Sequence, residues 1–111
     1  MESLSIGQVV LAAFPFSDLT ATKLRPCLVI GLAGFNDVLL CQITSKSYGS
    51  RKAVILARSD FIHGEIVRDS FIRPDKIATL ARGKIKRTLG TISDNKLDEV
   101  KQSLKTILEI S

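Results

Sequence analysis

Three stretches of this 111-residue chain place polar groups where apolar runs begin or end, the usual location of functional side chains on a rigid scaffold. The first is Lys23-Leu24-Arg25-Pro26. An arginine opening an apolar strand suits a core poorly without an anionic partner, and its five fixed donors match a phosphate. A structural salt bridge to Asp18 or Asp75 is the alternative. The second is Gln42-Ile43-Thr44-Ser45-Lys46-Ser47, where an apolar strand runs out into hydroxyls and a lysine. Such a strand end can hold a phosphate and the negative charge that develops on it; it also fits an ordinary polar turn. The third is Ser70-Phe71-Ile72-Arg73-Pro74-Asp75. Arg73 and Asp75 are two apart and project to one face of an extended chain. A carboxylate beside an arginine stays ionised and can accept a proton; the alternative is a surface ion pair worth little to stability.

A fourth feature is the row Arg82, Lys84 and Lys86, with Arg87 adjoining. At a spacing of two these cations share one face of a strand, fit to track a phosphate backbone or to guard an exposed edge. The familiar catalytic constellations are missing: no glycine-rich phosphate loop, no paired-carboxylate metal cluster, no histidine-based dyad. Two separated cysteines and one histidine do not make a zinc site. Cys27 and Cys41 read as buried, reduced core thiols, and His63 as a loop residue. Any chemistry must then use Arg, Thr, Ser, Asp or Lys.

The elements that position these groups follow from apolar patterning. Ile6 to Phe14 is a continuous apolar run ended by Pro15, which reads as a buried first strand. Phe16 to Lys23 is a polar loop. Arg25 to Leu32 and Val38 to Thr44 form a hairpin across Gly34, Asn36 and Asp37, with Phe35 interrupting the turn residues. Ser45 to Arg51 is a loop, Ala53 to Ala57 a short strand, and Phe61 to Glu65 a turn around Gly64. Asp69 to Arg73, Lys76 to Leu80 and Lys84 to Ile92 are further extended segments, the first two separated at Pro74. The period then changes. Leu97, Val100, Leu104, Ile107 and Leu108 fall on one helical face, with Ser93 as N-cap and Asp94 in the first turn. The spacing predicts a C-terminal amphipathic helix of roughly four turns covering a small, strongly bent sheet.

The length argues for one compact domain, and an apolar content of 45% supplies a core. A net charge of +5 and a pI of about 9.5 favour an anionic partner. The longest apolar run, Cys27 to Ala33, is too short to cross a bilayer. The N-terminus shows no secretion signal, so the expected compartment is the cytoplasm, with no membrane partner.

Taken in order, these stretches resemble the MazF/PemK family of toxin endoribonucleases. The likeness runs through Gly7-Gln8-Val9-Val10, Phe14-Pro15-Phe16-Ser17-Asp18-Leu19 and Lys23-Leu24-Arg25-Pro26-Cys27-Leu28-Val29-Ile30. It continues in Gln42-Ile43-Thr44-Ser45, in Ser70-Phe71-Ile72-Arg73-Pro74-Asp75-Lys76-Ile77, and in Leu89-Gly90 before the helix. The resemblance implies a mainly β, SH3-like small barrel of antiparallel strands with a C-terminal helix, working as a homodimer. It implies sequence-selective cleavage of single-stranded RNA without metal or cofactor, leaving a cyclic 2′,3′-phosphate and a 5′-hydroxyl, and a cognate antitoxin that blocks the site.

The resemblance also implies roles. The RNA 2′-hydroxyl is the nucleophile. Thr44 would hydrogen-bond a non-bridging phosphate oxygen, and Arg25 would neutralise the developing charge. In some members the Arg-x-Asp pair is implicated, making Asp75 a base and Arg73 an acid or clamp. Phe16, Thr20, Lys23, Ser45, Lys46, Ser47 and Ser70 would contact RNA, with Phe16 or Tyr48 available for base stacking. The sequence departs from the family between Ser17 and Lys23, where many members have a longer Gly- or Glu-rich loop and some carry a histidine. Two other classes stay open: a non-catalytic relative that binds a protein target, as the gyrase-poisoning toxins do, and a nucleic-acid-binding module that does not cut.

Overall fold

Alternating apolar residues build most of this structure, a computed structural model that describes residues 3–13, 23–46 and 53–110. Seven strands result: β1 (Gln8–Ala12), β2 (Arg25–Leu32), β3 (Asp37–Thr44), β4 (Val54–Leu56), β5 (Phe61–Gly64), β6 (Ser70–Ala81) and β7 (Ile85–Ile92). They are followed by helix α1 (Asp94–Leu108). All belong to one antiparallel sheet of order β4-β6-β3-β2-β1-β7-β5. The sheet curls into a half-barrel, and α1 packs against β6 and β4. The mainly β, SH3-like architecture with one terminal helix is the expected one. Among the described residues no helix is long and apolar enough to cross a membrane.

The curl buries both faces of the central strands. Val9, Leu28, Cys41 and Ile72 lie on one face and share a core with Leu56, Ile92 and Val100 of the helix. Val10, Cys27, Val29, Val38 and Leu40 lie on the other, closed by Leu4, Leu80 and Ile85. Leu28 pairs with Cys41, and Cys27 with Gln42, so the two buried thiols point to opposite faces and cannot form a disulfide without a register shift. Burial pushes both thiols up to about 12.

Several boundaries differ from those expected. The first strand begins later, because Ile6 and Gly7 form a turn with Gly7 at φ 101; Phe14 lies outside the described residues. The two extended segments flanking Pro74 are one strand. Pro74 has no N–H to donate, and β6 accommodates it by bulging: Gln42 pairs with Arg73, whereas the adjacent Cys41 pairs with Ile77. Phe61 to Gly64 is strand β5 rather than a turn, so His63 is an exposed strand residue. Arg82–Lys84 is a 3-10 turn, so strand spacing does not apply there; of the basic row only Lys86 and Arg87 lie in β7. Phe35 does not interrupt the hairpin turn but forms it. Phe35 and Asn36 have φ 61 and 65, the positive pair of a type I′ turn.

The helix is set as its sequence predicts. Ser93 Oγ accepts the Lys96 N–H at 3.2 Å. The Ser93 N–H donates to the Asp60 carbonyl at 2.8 Å, and Lys96 Nζ lies 3.7 Å from the Asp60 carboxylate. The helix start is thereby tied to the segment that leads into β5.

Where β5 crosses β7, two glycines face each other, Gly64 opposite Gly90. A Cβ on Gly90 would lie 2.4 Å from the His63 carbonyl oxygen and 2.8 Å from the Phe61 ring. Gly90→Ala is therefore expected to cost about 1–3 kcal/mol in urea unfolding. Gly83→Ala, which meets nothing within 4 Å, is expected to stay within about 0.5 kcal/mol. The thiols make a second prediction. At pH 8 neither Cys27 nor Cys41 should react with a disulfide reagent in the native protein, and both should react in denaturant, because the attacking species is the thiolate.

Candidate active site

The pairing of β2 with β3 decides which side chains meet. On the second face the ladder runs Val29 opposite Leu40, then Cys27 opposite Gln42. By the same alternation Arg25 and Thr44, two residues further on, share this face at the strand ends. The ladder thus passes from fully buried apolar residues, through a buried amide, to an exposed guanidinium and a half-buried hydroxyl. Pro26 helps bring this about by biasing Arg25 to extended backbone at the strand's first residue.

Arg25, Gln42, Thr44, Ser45 and Lys46 line a cleft of about 700 Å³. Its opposite wall is the segment Glu65 to Arg68, with Arg87 and Leu89 of β7 and Leu11 of β1. Two side-chain hydrogen bonds hold that wall. Asp69 Oδ1 accepts the Arg58 N–H at 2.8 Å, and Ser70 Oγ donates to the Arg68 carbonyl at 3.0 Å. Arg25, Lys46, Arg68 and Arg87 give the cleft a cationic lining, against which Glu65 is the one carboxylate among the described lining residues. Glu65 sits 3.8 Å from Arg58, an exposed and weakly coupled pair. A concave site walled mainly by one sign of charge concentrates anions.

Thr44 is prepared to donate. Its Oγ1 accepts the Lys46 N–H at 3.2 Å, which fixes the oxygen and leaves the hydroxyl hydrogen to point elsewhere. A fixed hydroxyl donor beside a guanidinium can bind a phosphodiester and stabilise added negative charge on it.

Of the residues expected at the site, Arg25, Thr44, Ser45, Lys46 and Ser70 share this cleft. Ser70 is buried and its hydroxyl is committed to Arg68, so it braces the wall. Lys23 is exposed just before β2 and is not among the lining residues. Arg73 stands opposite Gln42 on β6, and its Nη2 donates to Asp75 Oδ2 at 2.7 Å; neither residue lines the cleft. The Arg73 hydrogen bond holds the Asp75 carboxyl below its ordinary 3.8, with partial burial opposing. Phe16, Thr20, Ser47, Tyr48 and Asp18 lie outside the described residues.

The wall from Glu65 to Arg68 was not foreseen. Arg87 had the signal of a basic row, but its partner across the sheet, Leu11, is what aims it at the cleft. Arg68 carried no signal beyond its charge.

A family model described as PemK-like, MazF-like toxin of type II toxin–antitoxin system matches residues 5–108. Among solved structures, the chain is similar to a Mycobacterial endoribonuclease in complex with its cognate antitoxin. The two are 18% identical over 100% of this chain and 98% of that one, with a TM-score of 0.76. It is similar also to a MazE–MazF complex from Deinococcus radiodurans, 22% identical over 99% and 100%, TM-score 0.77. A MazF toxin of Mycobacterium tuberculosis is 15% identical over 94% and 98%, TM-score 0.74. No curated protein matches by sequence.

The Arg73–Asp75 bond carries a pH signature. Because the Asp75 value is depressed in the fold, its contribution to stability is full above the unfolded-state value of 3.8 and is lost as pH falls through the native one. The Tm difference between wild type and Arg73→Met should be widest near neutrality and close in acid. A difference independent of pH would show that the pair contributes no such linkage.

Proposed function

The chain belongs to the PemK-like, MazF-like toxins of type II toxin–antitoxin systems, and from that premise we propose that it is a metal-independent endoribonuclease that cuts single-stranded RNA sequence-selectively within the cleft of Arg25 and Thr44. The observation that carries this reading is the meeting of those two side chains at the end of the β2–β3 ladder, the hydroxyl fixed by the Lys46 N–H and the surroundings cationic. Similar structures named as endoribonucleases support it.

In this mechanism the RNA supplies its own nucleophile. The 2′-hydroxyl passes its proton to water as its oxygen attacks the adjacent phosphorus, the bond to the 5′-oxygen breaks, and that oxygen takes up a proton from water. The products are a cyclic 2′,3′-phosphate and a 5′-hydroxyl. Thr44 donates to a non-bridging oxygen, and Arg25 balances the second charge that gathers there in the transition state. A guanidinium does not readily give up a proton, so Arg25 acts chiefly as an electrostatic clamp. Asp75 is ill suited to take the 2′-proton at neutral pH, because its bond to Arg73 lowers its basicity; its part is to hold Arg73 beside Gln42. Lys46, Arg68 and Arg87 track the phosphates on either side, with Ser45 at the rim and Lys23 on the approach. Phe16, Thr20 and Ser47 are proposed as further RNA contacts. The cytoplasm is the proposed compartment, where the chain acts as a homodimer restrained by a cognate antitoxin. Relatives solved with an antitoxin support that pairing.

Purified protein incubated with a long single-stranded RNA in EDTA should give discrete fragments ending in cyclic phosphates. Arg25→Ala and Thr44→Ala should each slow cleavage by about 100-fold or more. Full activity in both variants would place the chemistry elsewhere. Retained RNA binding without cleavage by the wild type would favour the non-cutting module.

A further inference from the structure

Gln42 is the one cleft residue whose burial has no explanation in the fold. It is 7% exposed, it lines the cleft beside Thr44, and its Oε1 is buried with no hydrogen-bond partner among the described residues. A buried carbonyl normally finds a donor, and leaving it without one lowers stability. A leucine or methionine would fill the same space at no such cost. The sequence nonetheless places an amide here, one step along the ladder from Arg25 and Thr44. An acceptor held at the floor of an anion-binding cleft is built to receive a donor that comes with the anion.

We propose that Gln42 is a specificity-determining residue: its side-chain carbonyl accepts an N–H from the edge of the base next to the phosphodiester held by Arg25 and Thr44. The inference rests on the reading of this cleft as the RNA-cutting site. Neither arginine nor lysine can do this task, since neither accepts a hydrogen bond. In single-stranded RNA the base edges are open, and an amide reads them by pairing its carbonyl with an N–H and its NH₂ with a ring or carbonyl acceptor. Discrimination arises because a base that presents no donor leaves the Gln42 oxygen buried and unpaired in the complex.

The test is a map of cut sites across a long RNA of varied sequence, wild type against Gln42→Leu, with thermal unfolding of both. The expected result is that the ratio of cutting at preferred over minor sites falls by about tenfold in Gln42→Leu, while its Tm is equal to or above the wild type's. A second measurement needs no variant. At the preferred position, an analogue lacking the amino group (purine for adenine, 2-pyrimidinone for cytosine) should slow the wild type by about tenfold and leave Gln42→Leu nearly indifferent. An unchanged cut-site map, or a wild type insensitive to the analogue, overturns the inference and leaves the nuclease reading standing. A wild type that cuts no RNA overturns that reading, and this inference with it.

Discussion

The register of β2 against β3 is the constraint on which the rest depends. Side chains alternate strictly along each strand, so one pairing choice assigns every residue of the hairpin to a face. With Leu28 opposite Cys41 and Cys27 opposite Gln42, both faces of the central sheet are apolar over most of their length, and the curl of the sheet buries both. The same choice aligns Arg25 with Thr44 at the open end. A slip of one residue in β2 would turn Arg25 onto the face that packs against the helix and part it from Thr44. Core and site are therefore specified by one interaction, and the core enforces the geometry of the site.

In the proposed reaction, that coupling is what would hold the reacting phosphate in place. Catalysis by electrostatic preorganisation requires donors that do not move when charge develops. Thr44 ends a strand whose preceding residues are buried, and its oxygen is pinned by the Lys46 N–H. Arg25 begins a strand that is paired on both sides, by β1 and by β3. Across the cleft, the Glu65–Arg68 wall hangs from Asp69 and Ser70. Rigidity comes from the sheet and charge from the rims. The unpaired Gln42 carbonyl sits where these meet, and an orphaned buried acceptor costs about 1–3 kcal/mol. Such a departure from best packing is expected where recognition competes with stability.

Much of this was legible in the residues themselves. The bounds of β2, the N-cap at Ser93 and the apolar face of α1 follow from local patterning, because each depends on neighbours within one turn or one hairpin. The strand across Pro74 was not legible. Proline argues against a strand interior unless a bulge absorbs it, and the bulge depends on pairing with β3, more than thirty residues away. Strand β5 was missed for a similar reason: Gly64 signals a turn locally, and only its close crossing with Gly90 shows why a glycine is needed within a strand. Arg25 and Thr44 stood out because each adjoins an apolar run, and the family resemblance supplied their expected roles; both line the same cleft. Arg68, in a loop, and Arg87, in a run of cations, had no such contrast, and their convergence on the cleft is a product of the curl.

The most direct test of the central claim is the structure of the protein with a short single-stranded RNA carrying a 2′-deoxy nucleotide at its cut site, so that the nucleophile is absent and the strand stays whole. The scissile phosphate should lie within hydrogen-bond distance of both the Thr44 hydroxyl and the Arg25 guanidinium, with flanking phosphates along Lys46, Arg68 and Arg87. An RNA bound instead in the depression formed by Arg82, Lys86 and Thr88, with Arg25 and Thr44 untouched, would contradict it.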